Sequence, residues 1–315
     1  MFSNLIATSI FIAITPATTG VSINSFTSDW QSKTAVSAAE SGLVALWDLK
    51  TGESLAAKKF EKPVSNAIIV KGRTVAVGQE TEVVIYDFTT NKEIFRFKQI
   101  VGEISYFAVS EDGKRLFAED FEDGTYCWNL DNGLNIKLPK RVQYGGGIYK
   151  DVNNKYLLSG WRDDQKCATW DIDLCQEVSV IDLSGQDEEV RDLSPNGKFA
   201  MTWMPDGKMT VWDVVTNTIV KTTKIPYENV FDFFMAPDAS KILLIDEEGQ
   251  VSIEPITQGS SIRLASMDEP LADGGFSFSM DSKLGLLGGI EGEVYVFDLN
   301  SGKMLWKKDA TSLLD

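Results

Sequence analysis

One repeat limits the folds open to this sequence more than any other feature. Seven times, at intervals of 39 to 44 residues, a short apolar stretch ends in an aromatic residue followed by an acid, or in a close substitute for that pair. The seven pairs are Trp47-Asp48, Tyr86-Asp87, Trp128-Asn129, Trp170-Asp171, Trp212-Asp213, Ile253-Glu254 and Phe297-Asp298. Recurrence at this period indicates one supersecondary unit copied in tandem, which favours binding over catalysis as the role of the chain.

Residues 190–221 show the repeated unit most clearly. Turn signals at Asn196-Gly197, Asp206-Gly207 and Thr216-Asn217 separate four short runs of strand-forming residues. The predicted strands are 190–193, 198–203, 208–213 and 218–221. Four short antiparallel strands in about 42 residues match one blade of a β-propeller.

Two further sets of residues keep the same period. A basic residue opens the second strand of every unit, at spacings of 40 to 43 residues: Lys33, Arg73, Lys114, Lys155, Lys198, Lys241 and Lys283. Turn pairs recur between the third and fourth strands: Thr51-Gly52, Thr90-Asn91, Asn132-Gly133, Leu174-Cys175, Thr216-Asn217, Gln258-Gly259 and Ser301-Gly302. We therefore predict an all-β fold, a seven-bladed β-propeller of four-stranded antiparallel blades.

Residues 42–52 (GLVALWDLKTG) and 207–214 (GKMTVWDV) resemble the third strand and following turn of the WD40-repeat family. The resemblance covers residues 21–310 and implies a rigid platform that assembles other proteins, with few enzymes among its members. The family pattern also places a His before the first strand, in a hydrogen-bonded network with a Ser or Thr, an Asp and the Trp. This chain has no histidine. Each lost bond is worth about 0.5–1.5 kcal/mol net, so the chain resembles a divergent member.

The last unit carries a second resemblance. Residues 294–307 (VYVFDLNSGKMLWK) are similar to the repeat of quinoprotein-like propellers, including bacterial outer-membrane assembly lipoproteins. That motif ends its fourth strand in a Trp, here Trp306, and no other unit has Trp at the matching place. This resemblance implies an exported propeller that acts in envelope protein assembly. A remote third alternative is a metal-dependent propeller hydrolase that uses carboxylates around its channel.

Composition favours one large acidic domain. Apolar residues make up 43% of the chain, and no Pro-rich, Ser-rich or low-complexity linker interrupts it, so residues 21–315 are predicted to form a single propeller domain. The net charge of −16 repels phosphates, which argues against direct binding of nucleic acid or of an anionic membrane. The same charge favours a basic protein or peptide as partner.

Residues 1–20 form a predicted leader of ambiguous kind. Residues 5–14 are an apolar run too short to cross a bilayer as a helix, and no Lys or Arg precedes Lys33. The β-branched residues suit an extra strand that closes the ring beside the last blade. A cleaved signal, which would make the protein exported rather than cytoplasmic, and a start inside an upstream blade are the alternatives.

The sequence offers little for catalysis, and we predict a protein that is not an enzyme and binds no cofactor or metal. Without histidine it has no Ser-His-Asp arrangement, and Cys127, Cys167 and Cys175 include no CxxC pair. Cys127 and Cys167 are predicted to be buried in third strands. The triplet Gly145-Gly146-Gly147 is interpreted as a close-packed strand entry rather than a phosphate-binding loop.

In a propeller, the loops between second and third strands lie on one side of the disc. Here these loops are rich in acids: Glu40, Glu80, Asp120, Glu122, Asp123, Asp163, Asp164, Asp206, Asp246, Glu247, Glu248 and Glu291. The ring of seven basic residues is predicted to lie on the opposite side. An acidic side of this kind would steer a basic partner towards it.

Two tryptophans stand at equivalent places on neighbouring blades. Trp161 and Trp203 each lie nine residues before their Trp-Asp pair, where the second strand enters its loop. Tryptophan and arginine are enriched at binding hot spots, so we predict a partner-binding patch. Its members are Trp161, Arg162, Trp203, Asp120, Asp163, Asp164 and Asp206. The alternative is that both tryptophans pack between sheets. The predicted function is therefore a non-catalytic interaction scaffold.

Overall fold

The computed structural model describes residues 22–313 apart from 99, 123, 137, 139–142, 162–165, 175, 182–188, 205–206, 225–229, 247–249, 257–259 and 265–270. Within strands, the side chains of 143–145, 189–191, 230–232, 246 and 271–275 are also left undescribed. The predicted leader, residues 1–20, lies outside the described residues. Among the described residues, no helix is long and apolar enough to cross a membrane.

The described chain forms seven four-stranded antiparallel sheets, each built from four consecutive strands. Blade one contains β1 (Ile23–Ser28), β2 (Thr34–Ala39), β3 (Leu43–Asp48) and β4 (Ser54–Lys59). Blade two contains β5 (Asn66–Lys71), β6 (Thr74–Gln79), β7 (Glu82–Asp87) and β8 (Lys92–Phe97). Blade three contains β9 (Ile104–Val109), β10 (Arg115–Asp120), β11 (Thr125–Asn129) and β12 (Leu134–Asn135). Blade four contains β13 (Gln143–Lys150), β14 (Tyr156–Trp161), β15 (Cys167–Asp171) and β16 (Gln176–Ile181).

The remaining three blades repeat this order. Blade five contains β17 (Glu189–Leu193), β18 (Phe199–Trp203), β19 (Lys208–Asp213) and β20 (Thr218–Lys224). Blade six contains β21 (Val230–Met235), β22 (Lys241–Asp246), β23 (Val251–Pro255) and β24 (Ile262–Arg263). Blade seven contains β25 (Leu271–Phe278), β26 (Leu284–Gly289), β27 (Glu293–Asp298) and β28 (Met304–Asp309), followed by a short 3₁₀ helix, Ala310–Leu313. The predicted seven-bladed all-β propeller is confirmed.

The apolar core is divided among the junctions between blades. In the described part of the chain, seven separate clusters of buried apolar side chains each join two neighbouring blades, including the seventh and the first. Seven junctions for seven blades mean that the sheets form a closed ring. Second and third strands are therefore covered on both faces, and β14 is buried along its whole length. Fourth strands lie at the rim, and β20 is mostly exposed.

In blades one to five and in blade seven, the Asp or Asn that follows the aromatic residue shapes the turn between the third and fourth strands. Asp298 Oδ1 accepts hydrogen bonds from the backbone amides of Asn300 at 3.1 Å and Ser301 at 2.7 Å. Asp48, Asp87, Asn129, Asp171 and Asp213 accept equivalent bonds in their blades. The turns end in a left-handed residue, such as Gly302 with φ 68° or Asn217 with φ 55°. A side chain that accepts backbone amides two and three residues ahead is the ordinary Asx turn, which explains why the acid recurs.

First-to-second turns of neighbouring blades touch one another. The Asp238 amide donates to Ser282 Oγ at 3.1 Å, joining blades six and seven, and the Asp281 amide donates to Ser32 Oγ at 3.0 Å, joining blades seven and one. These contacts place the first-to-second turns on one side of the disc, which we call the turn face. It also carries the third-to-fourth turns, because antiparallel strands return to the same side.

The predicted ring of basic residues lies on this turn face, each residue directly before or at the start of a second strand. Several of these side chains pair with acids on the same face. Lys114 lies 3.3 Å from Asp131, and Lys155 lies 3.4 Å from Asp171. Lys283 lies 3.2 Å from Asp281. The ring is therefore partly neutralised and does not make the turn face a simple positive surface.

Ring closure between blades seven and one depends on Trp306. Its indole Nε1 donates to the Leu49 carbonyl at 2.9 Å. Its ring packs against Trp47 and Phe26, with centroid distances of 6.4 and 6.5 Å. Gly52 leaves room for this ring, since a Cβ there would lie 2.8 Å from the indole. The tryptophan that suggested a second family thus has a packing role in this fold.

Polar side chains link successive innermost strands across the blade junctions. Ser25 Oγ donates to the Ala67 carbonyl at 3.0 Å, and Asn66 Nδ2 donates to the Ser105 carbonyl at 3.0 Å. Likewise, the Tyr106 hydroxyl on the innermost strand of blade three donates to the Gly146 carbonyl on that of blade four. A chain without histidine therefore still has buried polar bonds that set how one blade sits on the next.

Two of the indole hydrogen bonds implied by the WD40 resemblance are present although the chain has no histidine. Trp47 Nε1 donates to Ser37 Oγ at 2.8 Å, and Trp212 Nε1 donates to Thr202 Oγ1 at 3.1 Å. In blade four the equivalent position is Gly160, opposite Ala168 in the strand register. Trp170 Nε1 is buried there without a hydrogen-bond partner.

Candidate interaction face

The loops between second and third strands, together with the connections between blades, lie opposite the turn face and define the loop face. Of the seven predicted partner-binding residues, Trp161, Trp203 and Asp120 are described in the structure, each as the last residue of a second strand. The other four, Arg162, Asp163, Asp164 and Asp206, lie outside the described residues.

Both tryptophans are buried between blades and do not form a surface patch. Trp203 is 1% exposed, and its ring lies 5.0 Å from that of Phe233 in the layer between blades five and six. Trp161 is 5% exposed and packs in the layer between blades four and five. The expectation of two accessible aromatic anchors is corrected here. A second strand has no solvent-facing side in this fold, because its neighbours cover both faces.

Asp120 organises a loop and is itself 2% exposed. Its carboxylate accepts hydrogen bonds from the amides of Gly102 at 3.1 Å and Gly124 at 2.6 Å, and from Tyr126 Oη at 2.8 Å. The Glu122 amide donates to it as well, at 3.0 Å. Burial alone would raise the pKa of Asp120, but these donors outweigh it and lower the pKa below its usual value. Its carboxylate is thus an internal clamp rather than a contact surface.

Exposed acids do populate the described part of the loop face. Their side chains extend from second-to-third loops and from the connection before β9: Glu40, Glu80, Glu103, Glu122 and Glu291. A basic side chain is present as well, since Lys62 lies 3.2 Å from Glu80 and 3.6 Å from Glu82. Blade three carries two of these acids, Glu103 and Glu122, beside the loop that Asp120 holds.

Two exposed apolar residues on blade three were not anticipated from the sequence. Phe121 is 60% exposed and Val101 is 71% exposed. Phe121 directly follows Asp120, and its amide donates to the Glu103 carbonyl at 3.0 Å, which joins the two loops. A large aromatic within the polar run Phe121-Glu122-Asp123 is the signal that could have identified this site.

The two described cysteines are enclosed in the core. Cys127 and Cys167 are buried in β11 and β15, as predicted, and burial raises the pKa of the Cys167 thiol. Cys175 lies outside the described residues. Among the residues described, no group of three or more Cys, Asp or Glu side chains is arranged to hold a metal ion.

The glycine triplet has the packing role expected of it. Gly146 and Gly147 lie in β13, where blade five comes very close. A Cβ on Gly147 would lie 2.5 Å from the Pro195 carbonyl oxygen, and one on Gly146 would lie 2.6 Å from Leu193 Cβ. Only glycine permits this approach of two backbones.

Comparison with known proteins supports the fold and the repeat. No family model matches the chain. The sequence is 21% identical over 260 residues to a guanine nucleotide-binding protein subunit beta of Solanum tuberosum, covering 75% of this chain and 67% of that protein. The crystal structure of the computationally designed Ika8 protein superposes with a TM-score of 0.60 at 18% identity, over 92% of this chain and 87% of that one. The second match concerns the fold alone. The repeat and the ring of blades make this chain a seven-bladed β-propeller, and its divergent repeats are similar to those of WD40 proteins.

Proposed function

We propose that this protein is a non-catalytic interaction platform whose loop face binds a basic protein or peptide. WD40-like propellers commonly serve as protein-interaction scaffolds, and the relative from Solanum tuberosum is named as a subunit, that is, a component of an assembly. The observation that carries the proposal is the set of exposed carboxylates on the loop face, from Glu40 on blade one to Glu291 on blade seven.

Charge supplies the argument for a basic partner. At a net charge of −16 the chain attracts cationic surfaces over a distance of about 10 Å at moderate ionic strength. On the turn face, acids and bases pair with one another. Of the exposed loop-face acids, Glu80 pairs with Lys62. The other four, Glu40, Glu103, Glu122 and Glu291, form no ion pair among the described residues, which leaves their charge available for steering and selectivity.

Rigidity of the scaffold supports the same role. Loops fixed on covered strands lose little conformational entropy when a partner binds. The Asp120 clamp shows how this is achieved on blade three, with four donors converging on one carboxylate. We retain Arg162, Asp163, Asp164 and Asp206 as predicted contacts of the loop face, whereas the buried Trp161 and Trp203 are no longer among them.

The experiment compares two double variants that have the same net charge. Glu103→Lys/Glu122→Lys reverses two exposed acids on the loop face, and Glu53→Lys/Glu111→Lys reverses two exposed acids on the turn face. Partners are captured from cells of the source organism with tagged protein and quantified by mass spectrometry. Recovery of a basic partner should fall at least about tenfold for the loop-face variant and stay near wild type for the turn-face variant.

Two results would contradict the proposal. Equal recovery with all three proteins would mean that the loop-face acids do not contribute. Equal loss with both variants would mean that only overall charge matters. Thermal unfolding of each variant checks that the fold is intact, since exposed substitutions usually change stability by less than about 0.5 kcal/mol.

A further inference from the structure

We propose that Phe121 and Val101 form the apolar anchor of the loop face and bind a basic segment that carries a large apolar side chain. This inference rests on the proposed function and names the place and the chemistry of the contact. It replaces the tryptophan pair, which is buried, with two residues that are accessible.

The position of the two residues sets them apart from other exposed apolar side chains. In the described chain, most large apolar residues with comparable exposure belong to outer strands: Ile94, Leu134, Val178, Ile219, Val220 and Leu305. Val152, Leu174 and Val215 occupy tips of the turn face. Phe121 and Val101 are the ones on the loop face, and Phe121 is the one aromatic in the set. Aromatic anchors within a polar rim are typical of binding hot spots.

Hydrogen bonds join the two loops that carry these residues, although twenty positions separate the residues in sequence. Beside the bond from the Phe121 amide to Glu103, the Val101 amide donates to Tyr126 Oη at 3.0 Å. The Gly102 amide donates to Asp120 Oδ2 at 3.1 Å. The loop before β9 and the loop after β10 are therefore fixed to each other before any partner arrives. A preformed apolar surface avoids the entropy cost of ordering on binding.

Two carboxylates flank this apolar surface. Glu103 precedes β9, Glu122 follows Phe121, and both side chains are exposed. Glu122 lies over Gly102, where a Cβ would come within 2.8 Å of Glu122 Cγ. An apolar pair between acids is complementary to a segment in which Lys or Arg flanks Leu, Phe or a similar residue.

Synthetic peptides of equal length provide the probe. They differ in net charge, being basic, neutral or acidic, and in their central pair, which is Leu-Phe or Ser-Ser. Affinity for the full-length protein is measured by fluorescence anisotropy at low and at moderate salt. The basic Leu-Phe peptide should bind at least about tenfold more tightly than the basic Ser-Ser peptide and more tightly than the acidic Leu-Phe peptide.

Variants assign the contact to the site. Phe121→Ser and Val101→Ser should each remove most of the advantage of the Leu-Phe pair, and Glu103→Lys/Glu122→Lys should remove the preference for positive charge. The matched controls Leu305→Ser and Val178→Ser alter outer-strand residues with 52% and 56% exposure and should leave binding unchanged.

Failure of this inference is separable from failure of the proposed function. If basic peptides bind regardless of their central pair, or if Phe121→Ser has no effect on binding, the proposed apolar anchor is wrong. The proposal that the acidic loop face binds a basic partner is not affected by that result. If no peptide binds, the anchor is overturned, and the cellular capture experiment decides the function by itself. If charge makes no difference to binding, the proposed basic partner is overturned as well.

Discussion

At the scale of single residues, buried polar groups distinguish this propeller. Some are paired, such as Ser37 with the Trp47 indole, whereas Ser159 Oγ is buried without a partner. The difference matters because an unsatisfied buried group costs about 1–3 kcal/mol, roughly the value of two ordinary hydrogen bonds. Two serines of similar burial therefore have opposite energetic roles.

We expect Ser37→Ala to destabilise the protein by about 1–3 kcal/mol, since it leaves the Trp47 Nε1 donor buried without an acceptor. Ser159→Ala is the matched control and should be neutral or slightly stabilising, because it removes a hydroxyl that has no partner. Chemical denaturation measures both changes in the free energy of unfolding. A larger loss for Ser159→Ala than for Ser37→Ala would contradict this account of the two serines.

Asp112 gives the fold a dependence on pH. Burial alone would raise the pKa of its carboxyl, but donors from Tyr156 at 2.5 Å, Lys150 at 2.9 Å and Ser110 at 2.8 Å hold the pKa well below its usual value. An unfolded Asp titrates near about 3.9. The stabilisation is therefore fully present above that pH and is lost as the pH falls towards the lower folded value.

We expect Asp112→Asn to lower the free energy of unfolding at neutral pH, because Asn cannot form the ion pair with Lys150. The deficit relative to wild type should shrink as the pH falls below about 4, because Asp112 of the unfolded chain then takes up a proton that folded Asp112, with its lowered pKa, does not yet bind. Thermal unfolding across a pH series measures this difference. A deficit that is constant down to the acid limit would show that the charge of Asp112 is not what stabilises the turn.

At the scale of elements, the repeated turn after each third strand explains why an acid follows the aromatic residue. Blade three uses Asn129 at this place, and its Oδ1 accepts the Asp131 amide at 2.9 Å. The acceptor oxygen is therefore the essential feature, and charge is secondary. The hydroxyl of Ser301 is the largest of the influences that lower the pKa of Asp298.

We expect Asp298→Ala to destabilise the protein by about 1–2 kcal/mol through loss of the bonds to Asn300 and Ser301. Asp298→Asn keeps the acceptor and should cost clearly less. The two variants are compared by thermal unfolding at neutral pH. Equal losses would show that the negative charge, rather than the geometry of the acceptor, holds the turn.

Strand order and turn positions could be predicted from the sequence because short local patterns specify each of them. These patterns recur in all seven units. The fourth strand of blade five was expected at 218–221 and extends to Lys224, an error confined to one end. Side-chain direction was a harder problem. In strands covered on both faces, such as β14 and β18, alternation does not distinguish inside from outside, so the burial of Trp161 and Trp203 left no periodic signal.

The candidate site was hard to predict for another reason. Val101 and Phe121 belong to different loops, which are joined by the bond from the Gly102 amide to the Asp120 carboxylate and by the bond from the Phe121 amide to the Glu103 carbonyl. The spacing of residues along the sequence does not indicate which loops are joined in this way. The bonds between innermost strands, such as Ser25 to the Ala67 carbonyl, likewise require knowledge of how one sheet is placed on the next.

At the scale of the whole molecule, the junction between blades seven and one is the place where the ring is completed. In the described chain, the two blades share no strand pairing and are held by side chains and single hydrogen bonds, among them Ser277 Oγ to the Phe26 carbonyl at 2.5 Å. Trp306 packs on two aromatic rings at this junction, those of Trp47 and Phe26. Its loss should therefore affect the whole protein rather than one blade.

We expect Trp306→Ala to destabilise the protein by about 2–4 kcal/mol, since it removes the packing on Trp47 and Phe26 and the bond to Leu49. Trp306→Phe should recover part of the packing, and the neighbouring Leu305→Ala, at 52% exposure, should cost little. Denaturation followed by tryptophan fluorescence and circular dichroism measures these effects. A Trp306→Ala protein as stable as wild type would mean that the junction is held elsewhere.

Because every described sheet is complete within one continuous stretch of sequence, the order in which the blades are connected is not fixed by strand pairing. Ile23 lies in the apolar cluster against which Leu313 packs, so the first and the last described stretches meet at the junction between blades seven and one. Circularly permuted versions opened between any two blades would then keep all seven sheets intact. New chain ends can accordingly be placed at many blade junctions. Tags or binding modules can then be attached at the junction that lies farthest from the partner.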